Sequence, residues 1–135
     1  MDTHCHPDLR KTLRQALAEH GGVRLAILFG SQATGHATTH SDLDLAVQMD
    51  APLDAPDKIA LIERLALATG LPVDLIDLKH AGEPLLGQIL KNGIRLLGDD
   101  TDYAALLSRH LFDAADFLPY RSRILAQRRQ AWIGK

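Results

Sequence analysis

Apolar positions change their period several times along this chain, and each change marks a predicted element. Leu9, Leu13, Ala16 and Leu17 recur at helical spacing while Arg10, Lys11 and Arg14 fall away from them, which predicts a helix from Pro7-Asp8 to a stop at Gly21-Gly22. Val23 to Phe29 is short and mostly apolar, the pattern of a buried strand. Gly30 to Ser41 is rich in Gly, Ser, Thr and His, so a loop or a short helical turn is expected there. From Asp42 to Gln48 the chain alternates. Leu43, Leu45 and Val47 share one face and Asp42, Asp44, Ala46 and Gln48 the other, which predicts a strand with one face in the core.

The helical period returns over Asp54 to Thr69, with Leu61, Ile62, Leu65 and Ala66 inward, Lys58, Glu63 and Arg64 tending outward, and Gly70 placed as the cap. Pro72 to Leu78 reads as a strand whose proline takes the first position, where no ladder donor is needed. Glu83 to Lys91 predicts a helix ending at Asn92-Gly93, and Ile94 to Leu97 a short strand or extended segment. Asp102 to Leu118 is helical in pattern, Pro119 interrupts it, and Tyr120 to Trp132 continues at an angle. Alternation of these elements describes one mixed α/β (α+β) domain over residues 1–135, with a small sheet in its N-terminal half. The core spans about 8–98 and a helical tail about 101–132.

Composition narrows the class. At 135 residues and 46% apolar the chain fits a single domain with its own core, and a formal net charge of −2 leaves no basic footprint for direct nucleic-acid binding. Cys5 stands alone, so no internal disulfide forms, as suits a reducing cytoplasm. The densest apolar run, Leu25 to Phe29, is strand-sized rather than membrane-sized, and Met1-Asp2-Thr3-His4 lacks the layout of a signal peptide. A cytoplasmic domain is expected.

Chemistry concentrates in two places. Gly30-Ser31 directly follows a strand, and ten residues separate Ser31 from Asp42-Leu43-Asp44. Glycine lets a backbone approach a phosphate, and serine adds a hydroxyl and a free N–H at the start of a turn. Asp42 and Asp44 are two apart on a strand, so their carboxylates point the same way and repel unless a cation lies between them. Mg²⁺ suits that position, because it takes one or two carboxylates and binds substrate phosphates with its remaining sites. A two-metal in-line displacement calls for a third acid. Asp74 and Asp77 lie on the next predicted strand with opposite parity, so only one can face the site. Asp74, nearer the strand's start, is the choice, and Asp77 is left to an edge or loop contact. The competing reading of Asp42 and Asp44 is the solvated face of an edge strand.

Phe29-Gly30-Ser31-Gln32-Ala33-Thr34-Gly35 through Ser41-Asp42-Leu43-Asp44-Leu45-Ala46-Val47 resembles the signature of the polymerase-β-type nucleotidyltransferases, and within them the minimal nucleotidyltransferase (MNT) group. Val73-Asp74-Leu75-Ile76-Asp77-Leu78 is similar to the strand that carries the family's third carboxylate. The resemblance implies a polymerase-β-like fold, Asp42, Asp44 and Asp74 as metal ligands, and Gly30-Ser31 as the holder of a triphosphate. In the same terms Asp74 ligates metal or activates the acceptor, and ATP and Mg²⁺ are the donor and cofactor. Many relatives carry Arg where this chain has Thr34. The short chain with its helical tail, Gln88-Ile89-Leu90-Lys91-Asn92-Gly93 included, is similar to MNT antitoxins paired with HEPN ribonuclease toxins. By that resemblance AMP passes to a tyrosine of a HEPN partner encoded nearby. Two rivals remain: transfer to a small hydroxylated molecule, and a catalytically silent toxin-binding module.

Other residues invite a function but have plainer explanations. His4, Cys5 and His6 are too few to make a structural zinc site. His36 and His40 lie in the loop before Asp42 and stand open between phosphate contact and simple solvation. Acidic residues precede Pro119, whereas Arg121, Arg123, Arg128, Arg129 and Lys135 follow it with Trp132 among them, a composition that suits docking to a partner.

Overall fold

The apolar stripe of the first predicted helix is buried in the computed structural model, whose described residues are 7–35 and 41–115. Helix α1 (Pro7–His20) seats Leu13, Ala16 and Leu17 in the core, and Arg14 reaches across to donate to the Leu96 carbonyl at 3.0 Å. The chain then runs through β1 (Val23–Phe29), α2 (Ser31–Thr34), β2 (Leu43–Met49), α3 (Ala55–Thr69), β3 (Val73–Asp77), α4 (Leu85–Asn92) and β4 (Ile94–Leu97). Residues 100–115 form α5. Among the described residues no helix is long and apolar enough to cross a membrane.

The four strands lie in the order β3-β2-β1-β4. β1 is antiparallel to both β2 and β4, whereas β2 and β3 are parallel. A parallel pair cannot be joined by a tight hairpin, and α3 is the crossover that connects it. Local chemistry fixes both ends of α3. The Asp54 carboxylate accepts the Asp57 N–H at 2.9 Å, and Gly70, at φ 72°, turns the chain out of the helix while its N–H donates to the Ala66 carbonyl at 2.8 Å.

The two faces of the sheet are covered differently. Ala26, Leu28, Leu43, Leu45, Val47 and Leu75 pack against α1 and α3 through Leu13, Leu17, Leu61 and Leu65. On the opposite face Leu25, Ile27 and Ala46 meet Leu86 and Ile89 of α4 and Leu106 of α5. The period-two reading of β2 therefore needs a correction at Ala46: it lies on the face with Asp44 and is fully buried there. That face is polar near Asp44 and apolar farther along, because α4 and α5 cover only part of it.

Element boundaries shift where side chains bind the turns. The helix predicted from Glu83 begins at Leu85, and the Glu83 carboxylate accepts the Gly87 N–H at 3.3 Å while also meeting His110 of α5. α5 starts two residues before Asp102, with the Asp99 carboxylate accepting the Asp102 N–H at 2.8 Å. Arg24 pairs with Asp102 at 3.0 Å, Arg95 lies 4.6 Å from the Tyr103 ring centre, and Arg109 donates to the Ala81 carbonyl at 2.9 Å. With Leu106 buried beneath it, α5 is built into the second core. The segment predicted as a helix from Tyr120 to Trp132, its arginines, and residues His4, Cys5, His6, His36 and His40 lie outside the described residues.

Candidate active site

Strand pairing brings the separated acids together. Phe29, the last residue of β1, pairs with Asp44 of β2, and Asp44 in turn pairs with Asp74 of β3. Partners directly across a sheet share a face, so Asp44 and Asp74 project on the same side. Asp42 has the same parity and stands immediately before β2, where the Leu43 N–H donates to the Pro72 carbonyl at 2.8 Å. Asp42 and Asp74 are exposed and Asp44 is half-buried.

Asp77 pairs with Val47 and so belongs to the other parity. Its carboxylate accepts the Lys79 N–H at 3.0 Å and lies 3.8 Å from His80. This is the loop contact expected for the acid that does not join the site.

The charges of the three acids are felt where they meet. Burial first, then the neighbouring Asp74 and Asp42, hold the Asp44 carboxyl above the ordinary aspartate range. A carboxylate in that position gains from a nearby cation. Among the described residues no three His, Cys, Asp or Glu side chains converge into a ready-made ion cage. The acids nevertheless fit Mg²⁺, which needs only one or two protein carboxylates and completes its shell with water and phosphate oxygens. Asp42, Asp44 and Asp74 are the residues that could hold it.

Gly30 joins the two halves of the site for a reason the sequence did not reveal. Its φ of 73° lies where side chains are disfavoured, and a Cβ placed on it would run into the Asp44 carboxylate. Glycine is thus required by Asp44 itself, whatever it offers to a phosphate. From Gly30 the chain enters α2 at once: the Gly30 carbonyl accepts the N–H groups of Ala33 at 3.1 Å and Thr34 at 3.2 Å. The Thr34 hydroxyl donates back to the same carbonyl at 3.3 Å, so position 34 closes the turn instead of offering a cation. Ser31, half-buried, opens this helix beside Asp44.

Nothing in the sequence sets Gln32 apart from the other polar residues around it. It is the buried polar side chain of the described residues, 9% exposed, and its amide Nε2 donates to the Ser41 carbonyl at 3.5 Å.

Comparison with known proteins gives this arrangement a family. The protein adenylyltransferase MntA of Shewanella oneidensis is 36% identical over 80 residues, which cover 59% of this chain and 58% of that protein. The chain thus matches somewhat over half the length of its curated relative. A crystal structure of a toxin–antitoxin with AMP-PNP superposes at a TM-score of 0.77 with 27% identity, covering 87% of this chain and 96% of the other. A complex of a tri-AMPylated Shewanella oneidensis HEPN toxin with its MNT antitoxin gives a TM-score of 0.71 at 25% identity, covering 88% and 94%. The family profile described as polymerase beta, nucleotidyltransferase matches residues 11–102, which span β1 to β4 with all three acids, and the chain belongs to that family.

Proposed function

We propose that this protein is a Mg²⁺-dependent nucleotidyltransferase of the cytoplasm that moves AMP from ATP to a tyrosine hydroxyl of a HEPN-family toxin, and so acts as its antitoxin. The observation that carries the reading is the register of Asp44 with Asp74 on adjacent parallel strands, beside the Gly30-Ser31 turn. The relatives supply the rest: a protein named as an adenylyltransferase, and complexes in which a toxin is held with an antitoxin, one with AMP-PNP and one with an AMPylated toxin.

Gly30 and Ser31 hold the triphosphate of ATP. Asp42, Asp44 and Asp74 would hold the ion, and Asp74 is also placed to orient the acceptor hydroxyl and receive its proton. The acceptor oxygen forms a bond to the α-phosphorus, the bond from that phosphorus to the pyrophosphate oxygen breaks, and pyrophosphate leaves. When bound, Mg²⁺ neutralises carboxylate and phosphate charge and steadies the leaving pyrophosphate. The protein's own contribution is positioning and electrostatics, with no covalent intermediate required.

The test is incubation of the purified protein with labelled ATP, Mg²⁺ and the helical protein encoded beside it, followed by mass spectrometry of the acceptor. AMP on a tyrosine of that partner is the expected result. Label on a small hydroxylated acceptor alone, or protection from the toxin without any transfer, would assign one of the two rival functions instead.

A further inference from the structure

We infer that Gln32 is a positioning residue for the metal-binding acids, holding Asp42 in place relative to Asp44 from across the loop. The inference rests on the proposed nucleotidyl transfer and adds a residue to that site.

A glutamine buried to this degree gives up hydration that its partners must replace, so its amide is held where those partners are. Gln32 follows Ser31 on α2, and its neighbour Ala33 packs against the main core. α2 is further fixed by Gly30, which fits against the Asp44 carboxylate. From this anchored helix the Gln32 amide crosses nine residues of sequence to the Ser41 carbonyl, at the peptide that leads into Asp42. On the other side of Asp42, the Leu43 N–H is bound to Pro72, next to the strand of Asp74. Asp42 thus stands outside the regular ladder, with one flanking peptide tied to β3 and the other to α2. Removing the Gln32 bond loosens the peptide ahead of Asp42, and Mg²⁺, which demands near-ideal octahedral geometry, is the ligand most affected.

The experiment compares wild type with Gln32→Met, which keeps length and burial but cannot donate, and Gln32→Asn, which keeps the amide but is one methylene too short. Two quantities are read. One is the Mg²⁺ concentration at the midpoint of the thermal stabilisation given by Mg²⁺ with a non-hydrolysable ATP analogue. The other is the Mg²⁺ concentration for half-maximal AMP transfer. Both should rise roughly three- to tenfold in each variant, the size of one neutral hydrogen bond. The rate at saturating Mg²⁺ should return close to wild type, while melting without Mg²⁺ falls by no more than the loss of one neutral hydrogen bond. A purely structural glutamine would lower the melting temperature but leave both Mg²⁺ midpoints of the folded fraction at their wild-type values. Folded variants with wild-type Mg²⁺ midpoints overturn the inference, as does failure of both variants to fold. A wild-type protein without AMP transfer would remove the proposed function itself, a result distinct from either.

Discussion

The two faces of the sheet do different work although the same strands build both. On the α1–α3 face, successive inward residues from Leu43 to Met49 are buried, and the contacts extend along the strand. On the α4–α5 face, Ala46 and Ile27 are buried, but the covering helices leave the end near Phe29 to Asp42, Asp44 and Asp74. Apolar burial on the first face supplies stabilisation that is non-directional and cumulative. Three acids brought together on the second place like charges side by side, which the fold tolerates because the first face is so thoroughly packed. On the proposed assignment, stability and chemistry lie on opposite sides of one sheet, and substitutions on either side of β2 should separate them experimentally.

The largest effect is expected at Asp44. Asp44→Asn should lower AMP transfer roughly a hundred- to a thousandfold, measured with labelled ATP at saturating Mg²⁺, because it removes a central charge of the site. Its effect on folding should have the opposite sign. Since the Asp44 carboxyl ionises less readily in the folded chain, the folded state binds more protons than the unfolded one, and stability falls as pH rises through its raised range. The variant should therefore melt higher than wild type near neutral pH. That gain should disappear as pH falls below the usual aspartate range, where the carboxyl is protonated in both states. A wild-type rate in this variant would undo the assignment of chemistry to this face.

Leu45, one residue along and fully buried on the other face, should show the reverse pattern. Leu45→Ala should cost about 2–5 kcal/mol in denaturant titrations, through lost burial and the cavity left behind. The folded fraction should retain its activity per molecule. A specific loss of activity larger than the loss of folded protein would mean that the faces are not separable.

Gly30→Ala falls between these cases, because it strains the backbone and displaces Asp44 together. A destabilisation of about 1–3 kcal/mol is expected from the strained φ, with an activity loss larger than the folded fraction explains. The smallest effect should come from Asp77→Asn. It weakens a turn contact to Lys79, so about 1 kcal/mol or less of stability should be lost, with AMP transfer unchanged. Asp77→Asn as damaging as Asp44→Asn would overturn the parity argument that placed Asp74 in the site.

Much of this organisation was legible in the sequence because it depends on neighbours a few residues apart. The alternation of Leu43, Leu45 and Val47, the helix from Asp54 to Gly70, and the opposite parity of Asp74 and Asp77 all express local geometry. Ala46 was ambiguous because a methyl group fits either a solvated or a covered face, and the helix that covers it comes much later in the chain. The steric demand that Asp44 places on Gly30, and the burial of Gln32, were illegible for a related reason. What each residue meets, the Asp44 carboxylate and the Ser41 carbonyl, exists only after the loop has closed. α5 read as part of a tail, since its binding to the sheet runs through Arg24, Arg95 and Leu106 rather than through its own periodicity.

The parallel pairing of β2 with β3 also sets the order in which the proposed site can be assembled from the chain. Gly30, Ser31, Asp42 and Asp44 leave the ribosome first, with their strand edge waiting for a neighbour. Asp74 arrives only after all of α3 has been made and has crossed the sheet. A chain interrupted before that crossover carries Gly30, Ser31, Asp42 and Asp44 yet lacks Asp74, the acid proposed to act on the acceptor. On the proposed assignment, a product that stops short of β3 would bind nucleotide without passing it on.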